Sequence, residues 1–291
     1  MKLFSKATIY VIPDNFTVST EQLERSLKPF FSCPPLQEIS AGFIPPCPDS
    51  SLLAHSANGC VLVCLQIESR KVPSNVVKSE FKKRLLEFEQ VENRKLTKDE
   101  KATLKEQITA EFMPRVFSKF SKVYGYFDLK NQWFVVNAAS EKAASSLVSA
   151  VRESLGSFPV VMLQPENSAS RMMTKWLKEQ KLPDKFSFGV VAMLEDDAVI
   201  TCKNQDLVTP EIAKHIDSGK EVTSMSMCWG DIVSFELNSD FVLKKLHFTH
   251  SDDDSTETPQ QQFDADFCLM TGEMAVFLPD LISAFGGEMR L

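Results

Sequence analysis

Apolar positions along this chain keep two different periods, and the change between them organises it. Residues 8–12 form a short apolar run that predicts a strand. Residues 19–30 (STEQLERSLKPF) place Ser19 as a helix N-cap with Gln22 three positions on, and Pro29 should end or distort that helix. The proline-rich segment 34–49 predicts extended chain or loop. Residues 52–69 read as two strands around Asn58-Gly59, the dipeptide that favours a tight hairpin turn. The period then lengthens. Ser74 can cap a helix whose apolar stripe is Val77, Phe81, Leu85 and Phe88. Residues 97–100 (TKDE) form a capping-box pattern for a second helix, with Ala102, Leu104, Ile108 and Phe112 inward. Together they predict a helical hairpin of about forty residues, charged on its outer face. Pro114 breaks or bends the second helix.

Beyond Pro114 the pattern returns to strands. Residues 122–139 read as a hairpin, and a helix capped at Ser140 stops at Gly156. A strand at 158–163, a short helix at 171–180 and one or two strands over 186–202 follow. Thr209-Pro210 opens a helix in the favoured order, cap then proline, ending at Gly219. Residues 222–248 hold strands with turns near Gly230 and Asn238, residues 250–261 a polar loop, and residues 264–285 a last helix ended by Gly286-Gly287. A strand–strand–helix–strand order occurs around 121–163 and again, loosely, around 190–248, without sequence repetition. Helices segregate from hairpins rather than alternating with single strands, so the expected class is α+β, with antiparallel sheets and a protruding helical hairpin. The expected division is 1–73, the N-terminal part of a central α+β region; 74–122, a basic helical hairpin; and 123–165, the rest of the central region. A second α+β region follows over 166–250, then an acidic loop and C-terminal helix over 251–291.

Composition narrows the class. Hydrophobic content of 43% and charged content of 24% over 291 residues are those of a folded globular chain. No apolar run reaches the roughly 18 residues of a membrane span. The N-terminus, MKLFSKATIYVIPDNF, has no small-residue cleavage site and reads as a first strand rather than a signal peptide. There are seven cysteines and no C-x-x-C pair; Cys60 and Cys64 share one face of an apolar strand and read as buried reduced thiols, which fits a reducing compartment.

Charge changes the picture more. The chain carries −7, yet residues 70–122 hold 14 basic and 8 acidic residues, and residues 250–291 hold 9 acidic residues against Arg290 alone. Within the basic segment, residues 113–128 (MPRVFSKFSKVYGYFD) interleave Arg115, Lys119 and Lys122 with Phe117, Phe120, Tyr124 and Tyr126. Cations neutralise phosphates without regard to sequence, and an exposed ring stacks on a base or wedges at a step. Residue types alone leave nucleic-acid binding and a protein-interaction module both open. Phe117 is expected to be core at the end of a helix, and Phe120 is divided between core and contact.

Catalytic templates fail. The chain lacks G-x-x-x-x-G-K-[ST], G-x-G-x-x-G and G-x-S-x-G. Among four histidines, His55 precedes a hairpin turn, His215 sits on a helix, and His247 and His250 precede Asp252, Asp253 and Asp254, an arrangement a metal-dependent nuclease can use. Consecutive aspartates in such a loop are more simply solvated. Asp264 and Asp266 in FDADF are read as acids favouring a helix N-terminus.

Seven stretches, in order and spread over the whole chain, resemble the recombination-associated RdgC family of bacteria and some of their phages: GFIPP (42–46), AHSANGCVLVC (54–64), MPRVFSKFS (113–121), SLGSFPVV (154–161), NQDL (204–207), HIDSGKEVT (215–223) and FDADFCLMTGE (263–273). Gln262 stands where the family pattern has a basic residue. The resemblance implies a non-enzymatic DNA-binding protein without a cofactor: a curved monomer that pairs into a ring around duplex DNA, binds with little sequence preference and restrains RecA-promoted strand exchange. It implies DNA, double-stranded and possibly single-stranded, and a second copy of the chain as partners, no membrane, and a place in the cytoplasm at the nucleoid. Carried over by position, it assigns DNA contact to Arg115, Lys119 and Phe120, and beside them Lys122. In CKNQDL it assigns Lys203 and Gln205, with Asn204 where a second lysine is usual. The competing readings are a recombinase-binding regulator with DNA contact secondary, and a metal-dependent nuclease. Three cations at spacings of four and three make one stripe if the helix continues through Ser121, and that is the expected local structure.

Overall fold

The structure, a computed structural model, describes residues 3–249 and 258–289. Its order is β1 (Thr8–Val11), α1 (Thr20–Ser26), β2 (Ile39–Ile44), β3 (Ala54–Ala57), β4 (Cys60–Ser69), α2 (Ser74–Glu92) and α3 (Lys98–Phe112). A 3-10 turn (Met113–Arg115) leads to β5 (Lys119–Asp128), β6 (Trp133–Val136), α4 (Glu141–Leu155), β7 (Val161–Met162) and α5 (Ala169–Glu179). Then come β8 (Phe186–Glu195), β9 (Ile200–Lys203), α6 (Pro210–Asp217), β10 (Glu221–Trp229), β11 (Val233–Asn238), β12 (Leu243–Phe248) and α7 (Pro259–Ala284). The class is α+β. One sheet has the order β2-β4-β5-β6-β1-β7 with β3 beside β4, the other β12-β11-β10-β8-β9. Pairing is antiparallel, as in β1–β6, β5–β6 and β10–β11. The two strand–strand–helix–strand runs are wired differently: β10 returns beside β8, whereas β7 returns beside β1.

Local chemistry explains the boundaries. Ser19, Thr97, Ser140, Thr209 and Thr258 each accept a backbone N–H in the first turn of their helix, and Thr97 with Glu100 closes a full capping box. Ser74 instead becomes the first helical residue after Pro73 and makes no cap bond. Asn58 and Gly59 both take positive φ, 51° and 72°, which a two-residue type I′ turn demands, and so fix the register Ala57 opposite Cys60.

The chain clusters into two compact units, one of Met1–Leu27, Pro45–Cys64 and Val123–Leu291, the other of Lys28–Ile44 and Leu65–Lys122. The first has a continuous core in which Ile9, Leu62, Val135, Met173, Met225, Phe235, Phe267 and Phe277 are buried together. The expectation that no run reaches membrane-span length fails for helix α7, which is long and apolar enough by length and composition alone. Eight of its apolar residues, from Phe263 to Ile282, are buried in that core. All seven cysteines are free thiols, and Cys60 and Cys64 are buried as their strand pattern requires. Burial, with Asp128 nearby, pushes the Cys60 thiol up to about 12.

The second unit is built differently. Helix α2 has no buried residue and α3 only Ile108; the expected stripe of Val77, Phe81, Leu85 and Phe88 is half-buried, and Ala102 faces solvent rather than the partner helix. Polar contacts also join the pair: Arg84 bridges Glu80 and Glu111, each at 2.8 Å, and Lys105 Nζ lies 5.0 Å from the centre of the Phe81 ring.

Candidate nucleic-acid interface

The stretch 113–128 does not stay helical. Pro114 occupies the first turn of a 3-10 segment that closes at Val116, whose N–H donates to the Met113 carbonyl at 3.2 Å; Val116 itself is extended, and β5 starts at Lys119. Proline lacks the N–H an α-helix needs, and the next segment satisfies its backbone by joining a sheet. Helical continuation through Ser121 is therefore incorrect, and Arg115, Lys119 and Lys122 do not make one helical stripe. In a strand, neighbours alternate. Phe120 and Lys122 share one face of β5, and Lys119 lies on the other.

Both faces are open there: residues 119–122 are all exposed, and β5 becomes buried only from Val123. Phe117 is 96% exposed, so it is not core at a helix end. Phe120 is 54% exposed, and its ring meets Phe30 edge-on with centroids 6.4 Å apart. Phe31, Leu36 and Ile39 of the same unit are also exposed. Arg70, Arg84 and Arg94 are each paired with a carboxylate, whereas Arg115, Lys119 and Lys122 pair with none among the described residues.

A buried carboxylate holds this presenting segment. Glu68 on β4 is 1% exposed and accepts from the Cys33 N–H at 2.8 Å, the Ser118 hydroxyl, and Arg70 Nη2 at 2.9 Å and Nε at 3.2 Å. Arg70 also donates to Ser118 at 3.0 Å. These bonds, the Ser118 hydroxyl foremost, hold the Glu68 carboxyl below its ordinary range. Ser118 is thus fixed between Phe117 and Lys119. Across from it, Gly42 lets the chain at 28–30 run against β2, with Phe30 and Phe43 bonded through their backbones at 2.9 Å; a Cβ at Gly42 would lie 2.4 Å from Phe30 Cα. That approach gives the GFIPP glycine a physical role and seats the ring that Phe120 touches.

Lys203 and Gln205 belong to the other unit. Lys203 ends β9 and is exposed; Asn204 takes φ 55°, and Asp206 closes the turn by accepting from the Val208 N–H at 2.8 Å. Gln205 is exposed. His250 and residues 252–254 lie outside the described residues, and His247 is exposed. Asp264 and Asp266 are not at a helix start, because α7 begins at Pro259; Asp264 lies instead 3.0 Å from His55. Pattern reading missed Phe117, Glu68 and the 28–44 segment; the GFIPP glycine was the one available signal for the last of these.

The unit carrying Arg115, Lys119, Phe120 and Lys122 has 15 basic and 10 acidic residues, a formal +5, and the rest of the chain therefore carries −12. A surface field depends on charge within about 10 Å at ordinary salt, so the total of −7 does not govern this surface. A family model described as "Putative exonuclease, RdgC" matches residues 2–288. The chain is 36% identical over 302 residues to the recombination-associated protein RdgC of Yersinia enterocolitica, and 35% identical to those of Yersinia pestis and Yersinia pseudotuberculosis; each comparison covers all of both chains.

Proposed function

The chain belongs to the RdgC family, with a role in recombination, and from that premise we propose that it is a non-enzymatic DNA-binding protein acting with little sequence preference. The observation that carries the reading is the cluster at 115–122: three cations without ion-pair partners among the described residues and two exposed phenyl rings, in a unit of net positive charge within an acidic chain. The cations meet phosphates and the rings meet bases or sugars. Lys203 and Gln205 add a phosphate contact and a hydrogen-bonding side chain. A second copy of the chain closes a ring around duplex DNA, and occupancy of the duplex restrains RecA-promoted exchange. A closed ring retains DNA topologically, so modest affinity per contact suffices. The hairpin α2–α3 is one candidate contact between copies. The protein works in the cytoplasm, at the nucleoid.

The family description names an exonuclease, and the relatives' name speaks of recombination. One experiment separates the readings. Pure protein is incubated with end-labelled duplex, with and without magnesium. A shift without shortening is expected. Magnesium-dependent shortening overturns the non-enzymatic reading, and no shift leaves a regulator whose target is the recombinase itself. Light scattering at micromolar concentration should give twice 32.7 kDa; a stable monomer binding DNA tightly sinks the ring. If about six phosphates are gripped, log affinity should fall with log salt at a slope of about −5.

A further inference from the structure

We propose that Cys47, His55 and Asp264 form a binding site for a divalent transition-metal ion of the zinc class. One ligand atom from each residue lies within 4.8 Å of the other two. The three come from separate places in one unit: the loop after β2, strand β3 and helix α7. His55 Nε2 and Asp264 Oδ1 form an ion pair at 3.0 Å, charged only when the imidazole is protonated, and neither enclosed atom has another partner among the described residues. A cation between them satisfies both at once.

The rest of the geometry suits a ligand set. The imidazole is held edge-on by Phe263 at 5.5 Å and Phe267 at 5.8 Å, so packing fixes its orientation. Cys47 is 3% exposed and supplies sulfur from the protein side. The side chains of His55 and Asp264 are 15% and 44% exposed, which leaves a way in and a fourth position for water. Sulfur, imidazole nitrogen and one carboxylate oxygen select zinc and its neighbours; magnesium takes oxygen ligands. The site is therefore of a different kind from a magnesium-dependent nuclease centre and does not depend on the DNA reading. Binding displaces the thiol proton to solvent and joins the loop, the β3–β4 hairpin and α7 through one ion.

The full-length chain, stripped with chelator, is dialysed against zinc or cobalt and its metal content measured. About one equivalent of zinc per chain is expected, with a higher melting temperature in zinc and none of that rise in magnesium. Cobalt should give a thiolate charge-transfer band. Cys47→Ser should lose the band and weaken zinc binding about tenfold or more, while melting like the parent when both are metal-free. If Cys47→Ser does not fold, Asp264→Asn should weaken zinc binding similarly and keep the band. A parent that takes up no zinc, a band that persists in Cys47→Ser, or parent-like zinc affinity in a folded variant overturns the proposal.

Discussion

Phe117 and Phe120 flank one ordered serine, and truncating each separates contact from packing. Fully burying a phenylalanine contributes about 1.5–3 kcal/mol. Phe120 keeps 54% of its surface exposed, so its share is about half of that, and its edge contact with Phe30 adds about 0.5 kcal/mol or a little more. Phe120→Ala should therefore cost about 1–2 kcal/mol, a few degrees of melting temperature at this chain length. Phe117 is 96% exposed, and Phe117→Ala should leave melting unchanged. A ring that stacks on a base is worth about 1–3 kcal/mol, which is roughly 5- to 140-fold in affinity.

The assay is fluorescence anisotropy with a labelled single strand and a labelled duplex over a series of salt concentrations. Neither variant removes a charge, so both salt slopes should match the parent while single-strand affinity falls. Phe117→Ala carries the cleaner test, because no stability change accompanies it. A Phe117→Ala protein that melts and binds like the parent shows that this ring meets no base. A Phe120→Ala protein that melts lower yet keeps its affinity once folded shows that Phe120 is packing alone.

Three further outcomes follow from the same geometry. Lys119→Ala should reduce the salt slope by about one, and adding Lys122→Ala by about one more, in titrations from low to moderate salt; an unchanged slope removes these cations from the interface. Glu68 has a lowered carboxyl pKa, so its stabilising contribution is present above the ordinary value of 4.5 and is lost as pH falls below it. Amide exchange of residues 116–122 should rise with that acidification in the parent and be raised already at neutral pH in Glu68→Gln; equal protection in both at neutral pH refutes the assigned role. Gly42→Ala would set a Cβ 2.4 Å from backbone, so the chain must shift, at about 1–3 kcal/mol in thermal unfolding; a parent-like melting point would mean that the segment at 28–30 yields freely.

The elements were legible where a local rule has one solution. Capping residues Ser19, Thr97, Ser140 and Thr209 marked four helix starts, whereas the start of α7 behind Thr258 was read as loop; Asn58-Gly59 fixed a hairpin by its positive φ angles. Sheet order was not legible. The pairing of β7 with β1 instead of a sequence neighbour depends on contacts some 150 residues apart, which no short window contains. Ser74 failed as a cap because Pro73 already sits at the boundary, and the stripe on α2 overstated burial because the α2–α3 pair is joined through charged contacts as well as apolar ones.

The candidate interface was half legible, and the missing half has a physical cause. Residue types disclosed cations and rings together at 113–128, but spacing alone did not decide between a helix and a strand. The decision came from a hydrogen-bond acceptor elsewhere in the sequence. Glu68, buried at 1%, captures Ser118 and Arg70 and brings residue 118 to the edge of β4, where Ser69 then donates to the Lys119 carbonyl at 3.4 Å. Once pairing begins, the alternation of a strand places Lys119 and Phe120 on opposite faces, and both faces are open at that end. The local arrangement thus combines a buried charge, which is costly unless fully bonded, with an apolar ring on its flank that is 96% exposed. The exposed ring does not aid folding. If those rings contact DNA as proposed, a satisfied carboxylate that orders the serine between them would limit the conformational entropy they lose on binding, and that preorganisation would be the physical gain of the arrangement.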